Sequence, residues 1–245
     1  MNFSAVPNNI AGKLLRSILR IIPAKSQVRI LQGRLKGQKW IVGSGVHGCW
    51  LGSYEFEKQQ LFEKTIQDGK VIYDLGANVG FYTLLSSVIV GSKGKVIAFE
   101  PLPRNLEYLR QHMIINRVDN VTIKDAAVSD TTGLITFDIG PHSSMGKIAE
   151  NGTLKVKTVV LDTLVDKGEI PPPDYMKIDI EGAEFLALQG ARRMLEKYHP
   201  TIFLATHGKE VHQKCLEFLT SLGYKLRSIN EKSLEETDEV IADYR

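Results

Sequence analysis

The segment Asp74–Gly80, with the sequence DLGANVG, combines an acid, an amide and two glycines where a buried apolar strand turns into a helix. In a doubly wound α/β sheet, ligands bind beyond the carboxyl ends of the strands. Gly76 would let a ligand approach the backbone, Gly80 would let the helix pack near the strand, and the helix N-terminus would offer N–H groups to an anion. We therefore interpret this segment, including Ala77 and Asn78, as part of a cofactor site.

The spacing of the glycines indicates which cofactor the segment suits. A dinucleotide fingerprint crowds three glycines around a pyrophosphate, whereas only Gly76 and Gly80 occur here, and Asp74 precedes them. The backbone N–H groups can take a carboxylate, and the acid can take an ammonium directly or through water. A zwitterionic amino-acid tail therefore fits better than a pyrophosphate, and a nicotinamide-dependent oxidoreductase is the less favoured alternative.

Two further segments follow neighbouring strands and suit the rest of a nucleoside. Glu100 ends the second strand, before Pro101, where an acid can accept two ribose hydroxyls. After the third strand, small residues leave room for a flat adenine ring. Asp125, or the backbone of Ala126 and Ala127, could bond the adenine amino group, although a simple turn is the alternative.

Four ionisable groups occur in Lys177–Glu184, KIDIEGAE, at the end of the fourth strand. A parallel-sheet core would not pack acids there without a purpose, because an unpaired buried charge is costly. We expect Asp179 to face the cofactor or to act in catalysis. Glu181 and Glu184 are candidates for substrate contacts, with the alternative that they only cap the next helix.

A proton acceptor is expected at the same edge of the sheet. His207 follows the fifth strand, and the ordinary pKa of histidine lies near neutrality. Asp179 is the alternative base. The two residues could instead ligate a divalent metal that lowers the pKa of an alcohol, but two ligands are thin evidence, so no metal site is predicted.

These residues require a sheet that brings strand ends together. From Lys70 onward, strands and helices alternate with short links, which predicts right-handed crossovers and a mostly parallel, doubly wound α/β sheet. We divide the chain into an N-terminal extension, residues 1–53, and a main domain, residues 54–245. The predicted elements are helices at 10–20, 54–67, 79–90, 104–116, 184–198 and 210–222, two short strands within 27–42, strands at 71–75, 95–100, 121–125, 175–179, 201–205, 224–228 and 240–244, and an inserted antiparallel pair at 134–138 and 154–160.

Composition is that of an ordinary globular protein, with 43% hydrophobic and 24% charged residues among 245. Cys49 and Cys215 match no metal or redox spacing, which favours a reducing compartment. The longest N-terminal apolar region, residues 10–22, is interrupted by Lys13, Arg16 and Arg20, so neither a signal peptide nor a membrane span is predicted. We expect a cytoplasmic protein.

Charge is unevenly distributed along the chain. Residues 1–54 hold eight Lys or Arg and no acid, whereas the remainder holds 23 basic and 28 acidic side chains. A basic amphipathic helix at 10–22 could contact an anionic membrane surface or a glycolipid, or its apolar face could simply cover the domain. The basic residues are not interleaved with stacking aromatics beyond Trp40, so an RNA-binding or RNA-methylating protein is a further alternative that we do not favour.

The segments DLGANVGFYT, AFEPLPRN, DAAVSD, LDTL, MKIDIEGAE and LQGA occur in an order that resembles FkbM-type methyltransferases. The upstream LGSYE at Leu51–Glu55 is similar to that family too, and the resemblance spans residues 35–228. It implies a class I, Rossmann-like methyltransferase fold with an antiparallel final strand and S-adenosyl-L-methionine as cofactor. It also implies O-methylation of a hydroxyl on a sugar, glycolipid or secondary metabolite.

The resemblance also carries residue roles. It assigns Asp74, Gly76, Asn78 and Gly80 to the first motif, Glu100 to the ribose and Asp179 to the fourth strand, and it places Tyr54 and Glu55 among the candidate substrate contacts. The fifth strand departs from the family pattern. Many relatives have an acid two residues before the histidine, where this chain has Ala205, so any role of that acid does not apply here.

Overall fold

The structure, a computed structural model, describes residues 22–139, 146–148, 154–230 and 232–244. The helix predicted at 10–20 lies outside these residues. In chain order, the described elements are β1 (Gln27–Arg29), β2 (Lys39–Ile41), α1 (His47–Leu51), α2 (Phe56–Thr65), β3 (Val71–Leu75), α3 (Phe81–Val90), β4 (Lys95–Phe99), α4 (Pro103–Ile115), β5 (Val121–Lys124), β6 (Ala127–Val128), β7 (Gly133–Ile139), β8 (Gly146–Ile148), β9 (Leu154–Val159), α5 (Leu161–Asp166), β10 (Tyr175–Ile178), α6 (Glu184–Gln189), α7 (Arg192–Tyr198), β11 (Thr201–Ala205), α8 (Lys209–Ser221), β12 (Tyr224–Ser228) and β13 (Glu239–Tyr244).

The main sheet has seven strands in the order β12-β13-β11-β10-β3-β4-β5. Neighbours from β11 to β5 pair in parallel, and β13 is antiparallel to both β11 and β12. The strand order changes direction between β3 and β10, which is where a doubly wound sheet opens a crevice for a ligand. The predicted fold class is confirmed, including its antiparallel final strand.

The central strands are buried on both faces, as apolar runs in a parallel sheet require. Alternate side chains point to opposite faces. Ile72 and Val96 join a cluster with α2 and α3, whereas Tyr73 and Ile97 join a second cluster with α6, α7 and α8. The two layers hold the carboxyl ends of β3, β4 and β10 at one rigid edge.

The single helix predicted at 184–198 is wrong, because the structure divides it into α6 and α7. Gly190 lies so close to a neighbouring loop that an added Cβ would stand 2.2 Å from the Ser129 carbonyl oxygen. Its carbonyl accepts a hydrogen bond from the backbone N–H of Asp162. The Asp162 carboxylate in turn accepts from the N–H groups of Arg193 and Met194 and so caps α7.

The described part of the N-terminal extension forms the predicted hairpin of β1 and β2, followed by α1, which the sequence patterns did not predict. Ile30, Trp40 and Trp50 belong to the same core cluster as Phe62 and Phe81 of the main domain. The boundary between residues 53 and 54 stays a prediction, and across it the apolar packing is continuous.

His112 of α4 connects this extension to the loop before α3, which contains Val79. Its Nε2 accepts the backbone N–H of Ile41 at 3.1 Å, so Nδ1 carries the proton and donates to the Val79 carbonyl at 2.7 Å. Trp40 stacks on the imidazole with ring centroids 3.8 Å apart. Burial lowers the pKa of His112 to about 4, which keeps the ring neutral and both bonds intact near neutral pH.

The inserted antiparallel pair is confirmed as β7 and β9, and the short strands β6 and β8 extend it to a four-stranded sheet. None of the helices in the described ranges is long and apolar enough to cross a membrane.

Candidate active site

A cavity of about 570 Å³ lies beyond the carboxyl ends of β3, β4 and β10. Its walls come from the loops that follow these strands, from residues 126–128, from His207 after β11 and from the extension loop at residues 43–46. The volume falls within the range of about 300–1,000 Å³ that is usual for small-molecule and cofactor sites. The strand ends that the sequence motifs follow therefore meet around one space.

Both glycines of the first motif are required by close contacts. Gly76 has φ +76°, and a Cβ there would lie 1.9 Å from the Asp179 carbonyl oxygen. Gly80 has φ +94°, and a Cβ there would lie 2.5 Å from Leu109 Cδ1 of α4. Gly76 lines the cavity as expected, whereas Gly80 makes room for a neighbouring helix rather than for the preceding strand.

The backbone N–H groups of the loop that precedes α3 are already paired within the protein. Those of Gly76 and Ala77 donate to the Phe99 carbonyl, and that of Gly80 donates to the Ala77 carbonyl. Asn78 donates its N–H to Glu100 Oε2 and accepts the next N–H on its own side chain. An anionic ligand group is therefore left with the first turn of α3, whose N–H groups have no partner within the helix.

Asp74 does not reach the cavity. It is fully buried, its Oδ2 accepts a hydrogen bond from Thr83 at 2.6 Å, and its Oδ1 lies 3.2 Å from Lys177 Nζ. The expectation that Asp74 binds a ligand ammonium directly is wrong, because both oxygens face protein partners. Its role in the structure is to hold Lys177 under the loop, where Lys177 also donates to the Gly76 carbonyl at 2.9 Å.

Glu100 lines the cavity with a fixed, buried carboxylate. Oε2 accepts the N–H of Asn78 at 2.8 Å, and Oε1 accepts the N–H of Leu102 at 2.9 Å and the Asn105 amide at 3.3 Å. Burial raises the pKa of Glu100, although these bonds and Lys177 oppose the rise. A lone pair on Oε2 remains for a ligand hydroxyl. The neighbouring Pro101 lines the same wall.

The third segment contributes its backbone and small side chains, not its acid. Ala126, Ala127 and Val128 line the cavity. Asp125 is exposed and pairs with Arg110 on the surface. The expected contact between the Asp125 side chain and an adenine ring is therefore wrong, and the backbone at Ala126 and Ala127 is the remaining source of such a bond.

Arg104 was not expected in the site. It connects α4 to the loop at residues 43–46, which lines the cavity. Its Nη2 donates to the carbonyls of Ser44 at 3.0 Å and Gly43 at 3.3 Å. The residue stands in the first turn of a helix, where a cation is electrostatically unfavourable. These carbonyl bonds offset that cost. The sequence signal that could have identified Arg104 is a basic residue in the first turn of a helix.

At the other end of the cavity, Asp179 lies between two lysines. Lys58 Nζ is 3.7 Å and Lys177 Nζ is 3.9 Å from its Oδ2. Burial alone would raise the pKa of Asp179, but Lys177, Lys58 and His207 together hold it below its usual value. A carboxylate that stays ionised in this way is a weak proton acceptor.

His207 presents one ring nitrogen to the cavity and is held by the other. Nδ1 lies 2.8 Å from Glu184 Oε1, which also accepts the N–H of Gly182 at 3.0 Å. Since that oxygen is an acceptor, Nδ1 carries the proton and Nε2 is left as the acceptor in the neutral ring. The bond to Glu184 raises the pKa of His207; burial opposes this, and the charges of Glu184, Glu181 and Asp179 add to it.

Glu184, the first residue of α6, is fully buried and does not line the cavity. The expected substrate contact for Glu184 is wrong, since its carboxylate faces His207 and the backbone. Tyr54, Glu55 and Glu181 do line the cavity at this end. Glu181 Oε2 lies 3.6 Å from His207 Nε2, and Glu55 Oε2 accepts the Tyr82 hydroxyl at 3.0 Å.

Lys58 was missed by sequence reasoning, and its only local signal is the acid three residues earlier, Glu55. It extends from α2 and is only 2% exposed, with Nζ 2.9 Å from Glu239, 3.1 Å from Glu55 and 3.7 Å from Asp179. Glu55 immediately precedes α2, whereas Glu239 belongs to β13 and Asp179 follows β10, so only the folded chain brings the last two to Lys58. Within the described parts of the chain, no group of three or more His, Cys, Asp or Glu side chains could hold a metal ion.

Comparison with known proteins places the chain among methyltransferases. Residues 74–226 match the methyltransferase FkbM domain. The hexuronic acid methyltransferase AglP of Haloferax volcanii is 30% identical over 140 residues, which are 56% of this chain and 56% of that protein. The chain therefore spans about half the length of this curated relative.

Two solved structures have the same fold. The methyltransferase FkbM of Methylobacillus flagellatus KT superposes with a TM-score of 0.54 and 21% identity, covering 73% of this chain and 44% of that one. The precorrin-6y C5,15-methyltransferase of Geobacter metallireducens GS-15 gives 0.51 and 20%, covering 78% and 89%. The domain match extends over more than half of the chain and contains the strand ends that form the cavity. The chain belongs to the methyltransferase FkbM domain family.

Proposed function

We propose that the protein is an S-adenosyl-L-methionine-dependent O-methyltransferase that acts on a sugar hydroxyl. The observation that carries this proposal is the pair of opposed groups in one cavity: the buried, oriented carboxylate of Glu100 at one end and the acceptor nitrogen Nε2 of His207 at the other. The first suits a ribose, and the second suits an alcohol that must lose a proton.

The walls fit the cofactor in shape and charge. The Gly76 loop, which a Cβ would fill, and the small side chains of Ala126 and Ala127 leave room for a nucleoside beside Glu100. Asp179 and Glu55 supply negative charge for a sulfonium and an ammonium. When bound, S-adenosyl-L-methionine supplies a methyl group made electrophilic by its sulfonium.

His207 is a better proton acceptor than Asp179 in this arrangement. The pKa of Asp179 is lowered and that of His207 is raised, so the imidazole has the greater affinity for the hydroxyl proton. His207 Nε2 would accept the proton that the acceptor hydroxyl loses on methylation, while the methyl–sulfur bond that breaks would leave its electron pair on the sulfur of S-adenosylhomocysteine. Glu184 stabilises the resulting imidazolium through the Nδ1–H bond. Asp179, whose Oδ1 lies 3.8 Å from Nε2, also stabilises the positive charge on the His207 ring.

A sugar acceptor is supported by the relative named as a hexuronic acid methyltransferase. The proposed partners are thus a glycan or small molecule with a free hydroxyl. Contact of residues 10–22 with a membrane or glycolipid stays a prediction, since these residues lie almost entirely outside the described ranges.

Release of S-adenosylhomocysteine in the presence of sugar acceptors tests the proposal. We expect His207→Ala to lower turnover by roughly 100-fold or more while cofactor affinity is nearly kept. The matched control is His199→Asn, because His199 precedes the amino end of β11 and the cavity lies beyond the carboxyl ends of the strands. Full turnover in His207→Ala would remove this base from the mechanism, and methylation of nitrogen or carbon alone would contradict O-methylation.

A further inference from the structure

The end of the cavity around His207 carries an excess of negative charge. The ionisable groups that line this end or lie buried behind its wall are linked by contacts of 4 Å or less. They comprise six carboxylates, Glu55, Asp74, Asp179, Glu181, Glu184 and Glu239, against Lys58, Lys177 and His207. With His207 protonated and the single net positive charge of S-adenosyl-L-methionine added, carboxylates still outnumber cations by two.

The two lysines cannot offer themselves to an acceptor. Lys58 and Lys177 are 2% and 5% exposed, and each is already held by carboxylates on more than one side. Arg104 lines the other part of the cavity and donates to the carbonyls of residues 43 and 44. Among the described residues that line the His207 end, no cation is left without a carboxylate partner.

Glu55 and Glu181 are the most exposed of the three carboxylates that line this end of the cavity. Both side chains are 28–34% exposed and line the cavity, so their carboxylates are presented to whatever enters it.

We propose that this acidic rim, formed by Glu55, Asp179 and Glu181, selects an acceptor that is uncharged or bears an ammonium, and that it rejects carboxylate-bearing sugars. The inference rests on the proposed transfer to a sugar hydroxyl and separates this chain from its hexuronic acid-methylating relative. A hexuronate would bring a further negative charge against three carboxylates in a partly buried space, where like charges repel one another.

Matched acceptors test the inference directly. Methyl glycosides of gluco, galacto and manno configuration would each be supplied in three forms: the neutral hexoside, the 6-carboxylate and the 2-amino sugar. The full chain is assayed at pH 7 by release of S-adenosylhomocysteine. We expect kcat/KM for the neutral or amino form to exceed that for the 6-carboxylate by roughly tenfold or more. Glu181→Gln should narrow this difference, whereas Glu196→Gln on the exposed face of α7 should not.

The outcomes separate this inference from the proposed function. A 6-carboxylate that is methylated as fast as its neutral counterpart would overturn the inference and leave transfer to sugar hydroxyls intact. Failure of every glycoside, with cofactor binding retained, would overturn both. If Glu181→Gln is as stable as the wild type and keeps the same ratio of kcat/KM between the neutral form and the 6-carboxylate, Glu181 does not determine this selectivity.

Discussion

His207 Nδ1 lies 2.8 Å from Glu184 Oε1, a carboxylate that is fully buried beneath the cavity. The same oxygen accepts backbone N–H groups from Ile180 and Gly182. The loop that follows β10 therefore fixes the position of a side chain that follows β11. This relationship sets which ring nitrogen is left free of Glu184 and raises the pKa of the ring.

We expect Glu184→Gln to change the pH dependence of turnover. His207 must be neutral to accept a proton, so wild-type turnover should rise with pH through a pKa above the ordinary value of about 6.5. Removing the carboxylate lowers that pKa, so the rise should move to lower pH while the maximum falls. Glu196→Gln is the control. A pH profile with an unchanged midpoint in Glu184→Gln would contradict the orienting role.

Gly76→Ala should disrupt the site from within the backbone. A Cβ would stand 1.9 Å from the Asp179 carbonyl oxygen, and the left-handed φ adds strain. We expect lost cofactor binding and a lower melting temperature. Gly133→Ala is the control, because a Cβ there meets nothing within 4 Å. Equal melting temperatures and affinities for the two variants would show that the close approach is not maintained in solution.

Arg104→Gln should weaken the attachment of the loop at residues 43–46 to α4. The guanidinium bonds to the carbonyls of residues 43 and 44 would be lost, and hydrogen bonds that involve a charged group contribute about 1.5–3 kcal/mol. We expect S-adenosylhomocysteine to dissociate about tenfold faster in stopped-flow fluorescence. Arg110→Gln, which removes only a surface pair with Asp125, is the matched control. The same dissociation rate in both variants would exclude a role of Arg104 in retention.

The neutral state of His112 should make the fold sensitive to acid. Burial holds its folded pKa at about 4, below the unfolded value of 6.5, so the unfolded state binds the proton more readily. The contribution of His112 to the free energy of unfolding is therefore fully present above pH 6.5. It is lost as the pH falls toward 4, by up to about 3 kcal/mol. Urea unfolding at pH 7 and pH 4.5 measures the loss, which should be smaller in His112→Gln. Equal losses in the two proteins would contradict this account.

The sequence predicted most strands to within a residue because β3, β4, β10 and β11 are apolar runs with clear limits. It also predicted which strand ends would meet, because parallel strands share an edge. The division of α6 from α7 escaped prediction, since it depends on Gly190 approaching Ser129, a contact that no local pattern records.

Side-chain direction was the other gap in prediction. Asp125 and Glu184 occupy the predicted places along the chain, but one points to the surface and the other lies beneath the cavity. Asp74 does not line the cavity, because its carboxylate is held by Thr83 and Lys177. Lys58 joins groups from three separate elements. Each of these outcomes depends on partners distant in sequence, which a motif cannot specify.

Calorimetric titration with S-adenosyl-L-methionine tests the central claim, that the cavity is a cofactor site organised around Glu100. We expect one molecule to bind per chain, and Glu100→Ala to weaken binding by about 1–3 kcal/mol because a buried carboxylate that accepts hydroxyls is lost. Glu107→Gln on the exposed side of α4 should bind as the wild type does. Unchanged affinity in Glu100→Ala, or tight binding of NAD by the wild type, would contradict the account.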